Sequence, residues 1–202
     1  MIRFPPSVLL PLVLLLPLAG CVAPTGPIEV TRFHLPDTAA LAHGATGVEP
    51  AAGMDPGSIE LKTFEEAVSR ELQRVGYGTA GASGAAQVAE VRLERRTEHP
   101  QRTRSPVSVG LGGATGSYGS GVGMGIGINL SGPPPAMTET LLGVVIRERA
   151  SGAVLWEGRA SFSVRADSPL ATTPLGAAEM ARALFAGFPG RSGETMLVKP
   201  AG

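Results

Sequence analysis

Two apolar runs joined by one short turn constrain this chain more than any other feature. Residues 140–149 alternate, Ala150-Ser151-Gly152-Ala153 supplies a turn, and residues 154–164 return. Period-two spacing puts Leu142, Val144 and Ile146 on one face. Val154 and Trp156, then Ala160, Phe162 and Val164, line the returning strand. A strand pair with one apolar face must bury that face against a second layer. Trp156 is the only tryptophan, and its large apolar body is expected to anchor that core.

The second layer is predicted from helical spacing. Phe64, Val68, Leu72 and Val75 form one stripe, Thr63-Phe64-Glu65-Glu66 reads as a capping box, and Gly76 supplies the residue past the end. Residues 175–188 read as a second helix, with Ala178, Ala181, Leu184, Phe185 and Phe188 available for burial and Pro189-Gly190 as its stop. Residues 29–35 read as a first strand with Val30, Phe33 and Leu35 apolar. Residues 37–57 read as a surface loop, and Ile59 and Leu61 as a short strand. Residues 88–95, with Val91 and Leu93 between charged neighbours, form another strand, and residues 196–198 an edge strand. The expected fold is α+β, a two-layer sandwich. Its antiparallel or mixed sheet carries two helices on one face, in the order β-α-β-β-β-α. A glycine-rich insertion precedes the C-terminal hairpin.

The N-terminal residues bear on location. Arg3 precedes an apolar run over residues 8–18, and Leu18-Ala19-Gly20-Cys21 follows. This resembles a bacterial lipoprotein signal, which implies removal of residues 1–20 and a diacylglycerol on Cys21. Residues 21–28 then form a lipidated tether, and residues 29–202 a single domain with the glycine-rich segment 107–132. The run is broken by Pro11 and Pro17 and is short of the ~20 residues that a helix needs to span a bilayer. The rival is an ordinary cleaved secretory signal with Cys21 incidental. Val22, in place of Asp, resembles the sorting pattern for the outer membrane with the domain facing the periplasm. Two or more acyl chains hold a protein firmly where one does not. Cys21 is the only cysteine, so its acylation rules out a disulfide within the chain.

With 17 basic and 17 acidic side chains, no charge excess points to nucleic acid. Arg95, Arg96, Arg102 and Arg104 sit on or near a polar stretch, diluted by Glu94 and Glu98. A solvated loop outweighs a patch for anionic headgroups there. The 28 glycines and 18 prolines favour long irregular segments between few regular elements.

Residues 107–132 are unusual. Gly121, Gly123, Gly125 and Gly127 alternate with Val122, Met124, Ile126 and Ile128, and Val107, Val109 and Leu111 follow the same habit. Extended, such a stretch has one face of bare backbone and one apolar ridge, and residues 113–120 supply a turn. Three readings compete: a loop folded against the sheet, a glycine-lined edge for a close partner, and a ridge pressed into a membrane surface. Val122, Met124, Ile126 and Ile128 are the candidate binding residues.

No catalytic residue is assigned. His34, His43 and His99 lie far apart without metal-ligand spacing, so no metal or cofactor is expected. No G-x-x-x-x-G-K-[ST] phosphate loop occurs, and Gly190-Arg191-Ser192-Gly193-Glu194 breaks the G-x-S-x-G elbow at its last position. No two carboxylates stand at a defensible acid–base spacing. An enzyme is not expected.

Thr140-Leu141, Val144-x-Ile146 and Gly152-x-Val154-Leu155-Trp156-x-Gly158-x-Ala160 resemble the second half of the lipoproteins of domain of unknown function 4136. Phe64-x3-Val68-x3-Leu72-x3-Gly76-Tyr77 is similar to that family's first helix, and Phe188-Pro189-Gly190-x-Ser192-Gly193-Glu194-Thr195 to its closing motif. Glu148 stands where the family has an acidic residue near the hairpin turn. The resemblance implies location and fold but no activity. The expected function is a binding or scaffolding module for another envelope component, a protein or a lipid; the alternative is a carrier of lipid or another hydrophobic ligand.

Overall fold

The computed structural model describes residues 25–79, 84–100, 107–116, 119–128 and 134–201. Its sheet is built from β1 (Ile28–His34), β2 (Ala45–Pro50), β3 (Gly78–Thr79), β4 (Gln87–Glu98), β7 (Met137–Glu148), β8 (Val154–Arg165) and β9 (Thr195–Val198). They run in the spatial order β3-β2-β4-β7-β8-β1-β9. β2 pairs in parallel with β3 and β4; every other pairing is antiparallel, so the sheet is mixed. Helices α1 (Ile59–Arg74) and α2 (Thr173–Phe185) form the second layer, α2 following a short 3-10 turn (Pro169–Ala171). The fold is the expected α+β sandwich. A separate two-stranded sheet pairs β5 (Val107–Gly116) with β6 (Gly119–Ile128).

Strand alternation explains the core. On β7, Leu142, Val144 and Ile146 are fully buried; on β8, Trp156, Ala160, Phe162 and Val164 are buried while Val154 is exposed. They meet Leu61, Phe64, Val68 and Leu72 of α1 and Ala177, Met180, Ala181, Leu184 and Phe185 of α2. The other face of the sheet is wet and carries cross-strand ion pairs, among them Glu90–Arg147 at 2.9 Å and Glu139–Arg96 at 2.8 Å.

Several expectations are corrected. Ile59 and Leu61 are not a strand: they open α1, whose N-cap is Ser58, its hydroxyl accepting from the Leu61 amide at 3.2 Å. Thr63 is therefore no cap; its hydroxyl donates to the Ile59 carbonyl one turn back. Residues 37–57 are not all loop, because β2 lies within them and pairs with β4. On β1 the buried residues are Ile28, Val30 and Arg32, whereas Phe33 and Leu35 are exposed. Helix α2 ends at Phe185, three residues early, and Ala178 is exposed. Val75 and Phe188 are only partly buried. Gly76, with φ of 115°, does occupy the left-handed position past α1.

Two glycines are set by close approach. A Cβ on Gly158 would fall 2.2 Å from the Trp156 ring and 2.8 Å from Leu184 Cδ1. The indole lies across the backbone two residues on, stacks on Phe185 at 5.4 Å between centroids, and donates its N–H to the Pro189 carbonyl at 3.0 Å. A Cβ on Gly190 (φ 84°) would fall 2.8 Å from Arg32 Nη1.

Candidate interaction surface

Registers place three features at one end of the sheet. The last β4–β7 pair is Glu98 with Met137, so the chain leaves and re-enters the sheet at adjacent positions on either side of β5 and β6. Met137 also pairs with Arg165, the last residue of β8. β1 runs antiparallel to β8 with Glu29 opposite Ser161, so the start of β1 lies toward that same end. Gly26 accordingly lies beside the Ser163 carbonyl. Ile28 pairs with Val198 of β9, which brings the last strand there too. A shallow hollow of about 450 Å³, lined by Thr25, Pro27, Leu197, Lys199 and Pro200, opens beside the tether. Leu197 is 67% exposed.

Within β5 and β6, Val107 pairs with Ile128, Val109 with Ile126 and Leu111 with Met124, while Gly110 pairs with Gly125 and Gly112 with Gly123. Successive strand residues fall on opposite faces. The apolar positions, Val122, Met124, Ile126 and Ile128 among them, therefore share a face across both strands with Gly113, Thr115 and Ser120, and the other face holds only glycine positions besides Ser108 and Ala114. The segment expected to turn over residues 113–120 is mostly strand, since the pairing continues to Gly116 with Gly119. Residues 129–132 of the segment, and Cys21, lie outside the described residues.

Of the basic stretch, Arg95 and Arg96 are paired. Arg95 belongs to β4 and turns toward the helices: its guanidinium donates to Glu60 Oε1 at 2.5 Å, to Thr173 Oγ1 at 2.8 Å and to the Ala171 carbonyl. It ties the starts of both helices to the sheet at the end where the insertion departs. Arg96 pairs with Glu139, which holds its guanidinium above the ordinary range. Arg102 and Arg104 lie outside the described residues.

Sequence reasoning missed Arg32. It is 4% exposed, donates to the Ala183 carbonyl at 3.0 Å, and has its pKa lowered by burial against an opposing effect of Glu194. Strand alternation alone, counted from Ile28 and Val30, would have placed it on the core face. The closing motif fastens around it and β1: the Gly193 amide donates to the Arg32 carbonyl, and Ser192 Oγ exchanges hydrogen bonds with the His34 backbone. The His34 ring nitrogens lie 2.7 Å from the Leu35 carbonyl and 3.3 Å from that of Gly190. Glu148 accepts from Ser151 in the β7–β8 turn. Among the described residues no group of three or more His, Cys, Asp or Glu is placed to hold a metal, and no helix is long and apolar enough to cross a membrane.

No family model matches the chain. An uncharacterized protein of Zymomonas mobilis subsp. mobilis is 27% identical over 220 aligned residues, covering 87% of this chain and 81% of that one. Among solved structures, a PDZ domain protein from Parabacteroides distasonis is similar with a TM-score of 0.48 at 11% identity, covering 86% of this chain and 39% of that one. The chain thus spans well under half the length of that protein. The PelC dodecamer from Paraburkholderia phytofirmans is similar with a TM-score of 0.45 at 14% identity, covering 82% of this chain and 99% of that one.

Proposed function

We propose that this chain is an outer-membrane lipoprotein, anchored through Cys21 and facing the periplasm, which serves as a non-catalytic binding or scaffolding module for another envelope component. The observation that carries this reading is the shared sheet end. The tether before β1 and the excursion through β5 and β6 leave the domain from the same side. A lipid on Cys21, four residues before Thr25, would turn that side toward the bilayer. The resemblance to domain of unknown function 4136 lipoproteins supports the same location.

A hydrophobic-ligand carrier would need room between helices and sheet. Trp156, Phe64, Phe185, Leu142, Ile146 and Met180 fill that space and are fully buried, so scaffolding is the better-supported reading. Mass spectrometry of the native protein is expected to show residues 1–20 removed and an acylated Cys21. Unmodified native Cys21 would overturn the anchor. In-cell crosslinking from residues 121–128 is expected to recover an envelope component.

A further inference from the structure

We propose that the β5–β6 hairpin spans the outer membrane, and that hairpins from several copies of this chain join edge to edge into one closed β-barrel. The inference rests on the membrane location proposed above, but not on the lipid itself.

Length is the first ground. β5 and β6 are ten residues each, and a membrane-crossing β-strand takes about 9–11 residues. At ~3.3 Å per residue and a tilt near 45°, such strands rise roughly 23 Å, close to the ~25 Å apolar band of outer-membrane barrels. Polarity is the second. Between Arg104 and Glu139 the sequence contains no Asp, Glu, Lys, Arg or His, whereas β4, β7 and β8 all carry charged residues. A long strand pair stripped of ionisable groups fits hydrocarbon better than water.

The register supplies the third ground. It collects Val107, Val109, Leu111, Met124, Ile126 and Ile128 on one face and glycine-rich positions on the other. Barrel strands alternate in this way, with apolar positions toward lipid and small or polar positions toward the lumen.

The fourth ground selects the partner. Among the described residues, this sheet has two strands and each keeps an unpaired outer edge. In hydrocarbon every backbone N–H and C=O must be paired, so a lone hairpin cannot insert. Identical hairpins side by side put β5 of one copy against β6 of the next in antiparallel pairing, a head-to-tail contact that closes as a ring. The smallest single-chain barrels have ~8 strands, which corresponds to roughly four copies. Departure of the hairpin and tether from one sheet end leaves the sandwiches on the periplasmic side.

The test uses the full-length lipidated protein, extracted in detergent and reconstituted into phosphatidylethanolamine–phosphatidylglycerol vesicles. Single cysteines replace Ser108, Val109, Gly110, Leu111, Met124, Gly125, Ile126 and Gly127 in turn; acylated Cys21 carries no free thiol. Labelling by a water-soluble maleimide is expected to alternate, about tenfold slower at 109, 111, 124 and 126 than at 108, 110, 125 and 127. Probes at the slow positions are expected to be quenched by nitroxide-labelled acyl chains, and the extracted protein to sediment as an oligomer. Equal labelling at both sets in membranes, or a monomer in mild detergent, would overturn the barrel. Acylated Cys21 with equal labelling defeats the barrel and spares the anchor; unmodified Cys21 with the alternation intact does the reverse.

Discussion

Trp156 and Gly158 act as one unit: same face of one strand, two residues apart, the ring filling the space a Cβ would take. Gly158→Ala is expected to lower stability by about 1–3 kcal/mol through overpacking, and Trp156→Ala by about 3–5 kcal/mol through the cavity left. Because the two side chains contest the same volume, a urea-denaturation double-mutant cycle should give a coupling of at least ~0.5 kcal/mol. Glu65 is a second residue with a sign to work out. Burial raises its carboxyl pKa against the opposing effect of Lys62, and one of its oxygens is buried without a hydrogen-bond partner among the described residues. The folded chain therefore keeps that proton to higher pH than the unfolded chain does. The resulting stability is fully present below the unfolded pKa and lost as pH rises through the raised one. Glu65→Gln should raise Tm at pH 7 and flatten the pH dependence just above the ordinary carboxylate range. Trp156 as an anchor was legible from its type and its apolar alternation. Arg32 was legible only in part: alternation from Ile28 and Val30 points it inward, but the carbonyl that satisfies its guanidinium, on Ala183, is brought beside it only by the fold.

At the scale of elements, the instructive case is the start of α1. Thr63-x-x-Glu66 carries the spacing of a capping box, yet the chain enters the helix five residues earlier at Ser58. Leu61 joins the stripe with Phe64, Val68 and Leu72, so burial of another apolar residue favours the longer helix. Glu60 in the first turn also meets Arg95 at 2.5 Å, a partner 35 residues away that no local pattern announces. Ser58→Ala should cost about 1 kcal/mol by loss of the cap, and Thr63→Ala less than about 0.5 kcal/mol; chemical denaturation of both variants separates the two. β2 escaped notice for a different reason. Its residues, Ala-Thr-Gly-Val-Glu-Pro, have poor strand propensity, and parallel pairing with β4 supplies the order that composition does not.

The whole molecule separates a self-sufficient sandwich from an excursion that enters and leaves through one strand pair. Closing the β4–β7 ladder with a short Gly/Ser link in place of residues 101–133 should leave the melting transition of the domain within a few degrees, since loop length changes closure entropy by only ~0.6 kcal/mol per doubling. Thermal melts followed by circular dichroism test this, and a large drop in Tm would mean that the excursion props up the core. The layers were readable from periodicity; the shared exit was not, because it depends on β1 finding β8 and β9 through pairings more than a hundred residues apart. That same long reach sets the order in which the fold can be finished. β1 is the earliest strand among the described residues, yet both of its neighbours, β8 and β9, come after residue 153. A polypeptide emerging N-terminus first would carry Ile28 and Val30 unburied until its last quarter arrived. Assembly of this sheet is thus completed from the far end, and a chaperone or the bilayer itself must tolerate a sticky first strand in the meantime.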